Sequence, residues 1–363
     1  MAKKLRPDRL LFFITLTLVA FGIAMVFSSS AVVAKEKFGD PNYFAFRQLL
    51  AAAVGLAVMF IIMKIDYHTY RHPAVVFSLL AGVVSLLVLV YFLASRAATH
   101  RWITLPFFSI QPSELAKVAL IFFLAYFLEK RKGQVNDVTF TLAPVAIIVL
   151  LLVGLIVPQP DLGTAISLLA VSVILLFVAG IDMKWLAISF LCSLPALYLL
   201  VFRTPWRRDR MLAFLDPWAD PLGKGFQIIQ SLISVGGGGI AGLGYMEGKQ
   251  KLFYLPEAHT DFIFAVIGEE LGMIGTCAVL ILFCLFMWRG MRVSKRAPDL
   301  FGFYLSLGIT MMICVQAFIN MSVVLGLMPT KGIPLPFMSY GGSSFVVMAA
   351  AVGILLNVSQ QGS

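Results

Sequence analysis

The stretch TLAPVAIIVLLLVGLIVPQPDLGTAISLLAVSVILLFVAGIDMKWLAISFLCSLPALYLLVF, residues 141–202, decides the fold. Its only charged residues are Asp161, Asp182 and Lys184, and they sit at the two breaks that divide it into apolar runs at 141–158, 163–180 and 185–202. A helix rises about 1.5 Å per residue, so each run is close to the roughly 20 residues that cross a hydrocarbon core. Runs of the same kind precede it at 10–31, 46–65, 74–95 and 113–129, and follow it at 262–288, 302–327 and 344–358. The sequence therefore predicts an all-α polytopic membrane protein with ten transmembrane helices. They form a single transmembrane domain over 1–363, with a large loop at 203–261 between helices seven and eight.

The whole chain has this character. Of its 363 residues 60% are hydrophobic and 13% charged, at a mean hydropathy of +0.94, whereas soluble domains carry about 25% charged residues. A soluble enzyme, a disordered chain, a coiled coil and a disulfide scaffold are excluded. Cys192, Cys277, Cys284 and Cys314 lie within apolar runs, as small packing residues do, and form no CxxC metal pattern. The net charge of +10 is that of a membrane protein with basic flanks; no nucleic-acid-binding motif accompanies it. The run from Leu11 to Phe27 is longer than a signal-peptide core and is followed by further spans, so it reads as an uncleaved first helix.

Lys and Arg orient the bundle. With the N-terminus inside, the inner flanks hold Lys3, Lys4, Arg6, Arg9, Lys64, Arg71, Lys130, Arg131, Lys132, Lys184, Arg289, Arg292, Lys295 and Arg296. The short outer flanks hold only Lys35, Lys37, Arg47, Arg96, Arg101 and Lys331. Both termini are therefore expected to be cytoplasmic and segment 203–261 extracytoplasmic. The inner loops are too short for an ATPase or kinase domain. No Walker sequence occurs, since Gln250 follows Gly248-Lys249 and Leu243 stands where its first glycine is needed. The polar, Gly/Pro-rich segments at 96–113, 157–164, 203–261 and 329–344 all fall outside. Chemistry, if any, is expected at the outer face and without ATP.

Four of these segments carry candidate residues. HRWITLPFFSIQPSELAK (100–117) leads into span four through a Pro near the first helical turn. Glu114 and Lys117 are three apart and share a helix face, so they read either as a structural ion pair or as part of a polar cavity for an anionic group, with Arg101 beside it. In VPQPDLGTA, Asp161 stands where a helix is capped and is also a candidate for an outward-facing cavity. Arg203, Arg207, Arg208 and Arg210 crowd the outer end of span seven, where they suit a phosphate or an anionic lipid surface. The run Gly236–Gly239 offers close backbone approach to a ligand, or flexibility.

In KLFYLPEAHTDFIFAVIGEELG (251–272), Asp261 lies at the mouth of span eight, where a carboxylate is costly unless it is paired, capping or used. Partial desolvation would raise its pKa and make it a better base. Glu257 and His259 are close in sequence and compatible with acid–base work, but their spacing is no metal signature. Glu269 and Glu270 are expected to be packing residues. PTKGIPLPFMSYGGSS (329–344) contains too many prolines for a regular helix; it is expected to wall a re-entrant cavity, with Lys331, Ser343 and Ser344 as polar contributors.

These strings together resemble the SEDS family of bacterial cell-wall proteins, the FtsW/RodA group. FSSSA, HRWI with QPSELAK, PQPDLGTA, DPLGKGFQIIQS, LPEAHTDFIFAVIGEELG and PTKGIPLPFMSYGGSS occur in the family's order and span most of the chain. The resemblance implies an inverting peptidoglycan glycosyltransferase of the cytoplasmic membrane that extends a nascent glycan strand from lipid II at the outer face. It implies a class B penicillin-binding protein as partner, within a division or elongation complex. It also implies Asp261 as catalytic carboxylate, with Arg101, Glu114 and Lys117 as cavity residues. QKLFYLPEAHTDF and PTKG resemble the division branch, IPLPF and the short tails the elongation branch; the division branch is favoured. A lipid II flippase is the rival of another class. A divalent cation could share the leaving-group charge, but no ligand set for it, or for any other cofactor, is legible.

Overall fold

The computed structural model describes residues 6–93, 101–104 and 109–362. Lys3, Lys4 and Arg96, used above for orientation, and His100 of the HRWI string lie outside the described residues. The chain is a bundle of α-helices: α1 Arg9–Phe38, α2 Tyr43–Lys64, α3 Pro73–Leu93, α4 Pro112–Lys130, α5 Ala143–Ile156, α6 Leu162–Ala179, α7 Met183–Phe202, α8 Pro205–Leu215, α9 Phe226–Gly237, α10 Ile263–Lys295, α11 Leu300–Val324 and α12 Gly342–Gln361. Each of the ten predicted spans is a helix. Nine helical segments among the described residues are long and apolar enough to cross a membrane. The tenth predicted span, α4, carries Glu114, Lys117, Glu129 and Lys130 and is too charged by composition alone.

Local chemistry sets the helix ends. Asp8 caps α1 through the Leu11 N–H, and a left-handed Gly39 closes it. Asp161 caps α6 through the Thr164 N–H, and Asp299 caps α11 through the Gly302 N–H. The core lies on α4, α11, α12 and the first turns of α10, which carry long runs of buried residues. α12 packs on α2, and α11 lies against both α10 and α4. α7 has no fully buried residue and packs chiefly on α8, so most of its apolar circumference is available to lipid. Lipid is as apolar as these side chains, so cohesion must come from close packing and internal polar contacts.

Two features of the segments between the spans were not expected from the sequence. Ile103–Thr104 (β1) and Ser109–Ile110 (β2) pair as an antiparallel ladder ahead of α4, with Ile103 opposite Ile110. The 203–261 segment contains helices α8 and α9.

α10 is broken at Gly272, whose φ of 64° is left-handed. The groups freed by the break are satisfied by the glycine-rich segment. Leu243 N–H and Gly244 N–H donate to the carbonyls of Glu269 and Glu270, and Met273 N–H and Ile274 N–H donate to those of Gly239 and Ile240. A Cβ on Gly238 would stand 1.9 Å from the Gly268 carbonyl oxygen. Within the run it is Gly238 that serves close approach of backbone to backbone; a Cβ on Gly236, Gly237 or Gly239 would meet nothing within 4 Å.

Candidate active site

Asp261 stands just ahead of α10 and does not cap it: the capping position is Phe262, and no side chain makes the bond. A tight turn delivers Asp261. Thr260 N–H and Phe262 N–H donate to the Glu257 carbonyl, with Glu257 in the left-handed region at φ 55°. Asn320 of α11 then fixes the peptide, its Nδ2 donating to the Asp261 carbonyl and to the Ile333 carbonyl, each at 2.7 Å.

Opposite lies the 329–341 segment, and it is no ordinary loop. Ile333, Leu335, Phe337, Met338 and Ser339 are buried. Buried backbone needs partners, and polar side chains supply them. Gln316 Nε2 donates to the Pro334 carbonyl at 2.9 Å, Gln48 Nε2 to the Ser339 carbonyl at 3.2 Å, and the Ser339 hydroxyl to the Thr260 carbonyl at 2.5 Å. The segment is thus an inserted wall, and its Gly332 abuts the carboxylate: a Cβ there would stand 3.0 Å from Asp261 Oδ2.

No donor among the described residues hydrogen-bonds the Asp261 carboxylate. Burial raises its pKa from 3.8 to about 7; Glu257 and Asp161 push in the same direction, while Arg101 and Arg210 oppose them. Those four residues, from four different stretches of sequence, are therefore gathered within electrostatic reach of one carboxyl group. Arg101 is anchored through its Nε to the Gln159 carbonyl at 2.8 Å and through Nη2 to the Pro160 carbonyl. Arg210 lies over the Trp206 ring at 5.3 Å. Asp161 is tied down, accepting from Ser113 Oγ at 2.9 Å and Gln111 Nε2 at 3.0 Å as well as capping α6.

The other predicted residues are placed as follows. Glu114 and Lys117 are each 3% exposed at the side chain and pair at 2.9 Å. Lys117 also donates to Gln316 Oε1 at 2.5 Å, and Ser344 donates to Glu114 Oε2 at 2.9 Å. The ammonium is engaged inside this network, which runs on through Gln316 to the inserted wall.

Arg207 reaches the carbonyls of Val157 and Leu200, whereas Arg208 is exposed on α8. His259 packs its ring on Phe44, centroid to centroid 4.7 Å, and burial lowers its pKa. Lys331 has no partner for its ammonium among the described residues, and burial lowers its pKa to about 8. The Ser343 hydroxyl is buried without a partner among the described residues. Among the described residues no three His, Cys, Asp or Glu side chains gather as a metal-binding group.

Glu269 and Glu270 serve packing. Glu269 accepts from the Lys249 and Gln250 N–H groups, and Glu270 pairs with Lys251 at 2.6 Å and accepts from Ser28 at 2.7 Å. Residues that were passed over are Asn320, Gln316 and Gly332. The first two were signalled by QAFIN, two amides four residues apart on one face of an apolar helix.

A multi-pass helical membrane protein with a desolvated carboxylate and two arginines at one end of its bundle is the class that fold and site define. The family model described as "Cell cycle protein", FtsW/RodA/SpoVE, matches residues 8–363. The chain belongs to that family. It is 46% identical to a probable peptidoglycan glycosyltransferase FtsW of Geobacter metallireducens, over 98% of this chain and 95% of the relative. It is 45% identical to the stage V sporulation protein E of Bacillus subtilis, over 99% and 98%. Its fold matches a chain of a solved peptidoglycan synthase complex at a TM-score of 0.78 and 31% identity, over 97% of both chains. It also matches the crystal structure of the rod shape determining protein RodA of Thermus thermophilus, at 0.71 and 27%, over 97% and 96%.

Proposed function

We propose that this chain is an inverting peptidoglycan glycosyltransferase of the division type, polymerising lipid II at the outer face of the bacterial cytoplasmic membrane. Asp261 is the general base. It takes the proton from the 4-hydroxyl of the GlcNAc of an incoming lipid II, and that oxygen forms a bond to C1 of the MurNAc at the reducing end of the nascent strand. The C1–O bond to undecaprenyl pyrophosphate breaks, the pyrophosphate departs with the electron pair from the opposite face, and the linkage inverts. The proton on Asp261 then passes to water.

The observation that carries the assignment is the state of Asp261: a half-buried carboxyl with a pKa near 7 and no hydrogen-bond donor among the described residues. A base with its pKa near the operating pH is the most effective, and such a group contributes about 10²–10⁴-fold. Arg101 and Arg210 are the nearest source of positive charge for the leaving pyrophosphate, with Lys331 at the rim. Arg207, Arg208, Glu257, His259, Asp161 and Ser343 are assigned to the approach of the substrate. Glu114 and Lys117 act at one remove, by holding Gln316 and through it the wall that carries Gly332. A divalent cation, if bound, would share the leaving-group charge with Arg101 and Arg210. The partner is a class B penicillin-binding protein, in company with other membrane proteins of the division complex.

The test is glycan-strand formation from lipid II by the purified protein with its partner, the partner's transpeptidase blocked. Polymer from the wild type and none from a folded, partner-binding Asp261→Asn is expected. Movement of lipid II across proteoliposome membranes with no polymer from either would replace the enzyme by a flippase. Polymer from both would move the base elsewhere.

A further inference from the structure

The end of the bundle remote from Asp261 carries a second charged site. Beyond its break at Gly272, α10 runs on to Lys295, roughly 35 Å at 1.5 Å per residue. Its far end meets the start of α1 and the end of α12. Between these three helix ends lies a cavity of about 190 Å³, lined by Arg6, Asp8, Arg292, Arg296, Ser359 and Gly362 among others. That volume is several times the roughly 30 Å³ of one water.

The acid in this cavity is already neutralised. Asp8 accepts from the Leu11 N–H at 3.0 Å and pairs with Arg289. Its own N–H donates to Ser359 Oγ at 3.0 Å, which ties α1 to α12. Arg6, Arg292 and Arg296 pair with no carboxylate among the described residues.

Basic residues at this end also favour the helix dipole of α10 and the orientation of the bundle. Both effects are met by side chains standing separately in water, and neither asks three guanidiniums to line one cavity. Exposed apolar side chains lie one to two turns away along the same helices: Leu10 and Phe13 on α1 and Trp288 on α10. Guanidinium binds phosphate oxygens in a bidentate manner, and basic pockets between helix ends hold anionic lipid headgroups.

We infer that the cavity between the ends of α1, α10 and α12 binds the phosphate of an anionic phospholipid headgroup through Arg6, Arg292 and Arg296, the acyl chains lying along Leu10, Phe13 and Trp288. The site is separate from the one around Asp261 and ties the packing of three helix ends to membrane composition.

The test uses the full-length protein in phosphatidylcholine nanodiscs containing a minor fraction of phosphatidylglycerol, with native mass spectrometry to count retained lipids. The wild type is expected to retain phosphatidylglycerol over phosphatidylcholine. A basic side chain at a membrane surface is worth roughly a factor of five, so R292Q/R296Q should weaken that preference about 25-fold. K130Q/R131Q, at another basic helix end, should leave it intact. Melting midpoints establish that the variants fold; where the double variant does not, R292Q alone should show a drop of about fivefold. Equal retention in wild type and R292Q/R296Q would overturn the site. Displacement of the lipid by millimolar glycerol 3-phosphate or inorganic phosphate would overturn the lipid source and assign the cavity to a soluble phosphate.

Discussion

Asp261→Asn should stabilise the protein while abolishing its activity. The carboxyl's pKa is raised from 3.8 to about 7, and each unit corresponds to 1.36 kcal/mol between the two protonation states. Three units set a ceiling of about 4 kcal/mol on the cost of holding the carboxylate where it is. The group keeps some contact with water, and discounting for that screening leaves about 2 kcal/mol. In the unfolded chain the carboxyl ionises near its ordinary value; in the folded chain it holds its proton until about pH 7. Between those two values the native state binds more protons than the unfolded state, so this residue makes stability fall as pH rises from about 4 to about 7, and the loss is complete above. Asparagine cannot ionise and escapes it. The assay is thermal unfolding in one detergent, read by tryptophan fluorescence at pH 5 and pH 8. Asp261→Asn should melt higher than the wild type at pH 8 and close to it at pH 5. An equal or lower midpoint at pH 8 would refute the claim that the surroundings of Asp261 oppose its charge.

Three further outcomes follow from the packing. Gly332→Val should lower kcat at least tenfold with little change in melting midpoint, because even its Cβ would stand 3.0 Å from Asp261 Oδ2; steady-state kinetics beside a melt checks it. Lys117→Met should destabilise by about 3–5 kcal/mol, since it strands Glu114 as a buried charge, whereas the Glu114→Gln/Lys117→Met pair should recover most of that in denaturant or thermal titrations. Gly238→Ala should fail to accumulate in membranes, because its Cβ would meet the Gly268 carbonyl at 1.9 Å, a backbone atom that cannot swing aside.

Much of the fold was legible because a membrane span is a long one-dimensional signal. The ten runs needed only length and hydropathy, and α4 was found through its apolar remainder despite Glu114 and Lys117. What escaped depends on partners distant in sequence. α8 and α9 are short and lie in a segment read as a loop, and the β1–β2 ladder is only two residues long on each side. The break in α10 is satisfied by complementary backbone groups of Gly239, Ile240, Leu243 and Gly244, a pairing that no local pattern displays. The same holds at the site. Asp261 was legible as a carboxylate at a span mouth, where desolvation is the rule. Its approach to Arg101, Arg210 and Asp161 is a property of the assembled bundle. Lys117 reads from sequence equally well as a cavity cation or as half of an ion pair, and only the presence of Gln316 from α11 shows where its protons go.

The central claim is that Asp261 acts as a base whose proton is lost near neutrality. The measurement that tests it most directly is kcat/KM for glycan polymerisation across pH 5.5–8.5, which reports groups of the free enzyme. The base works only when deprotonated, so the profile should rise about tenfold per pH unit on its acid limb and level off near pH 7, in keeping with the raised pKa. A profile flat across that range, or one falling as pH rises, would contradict the assignment.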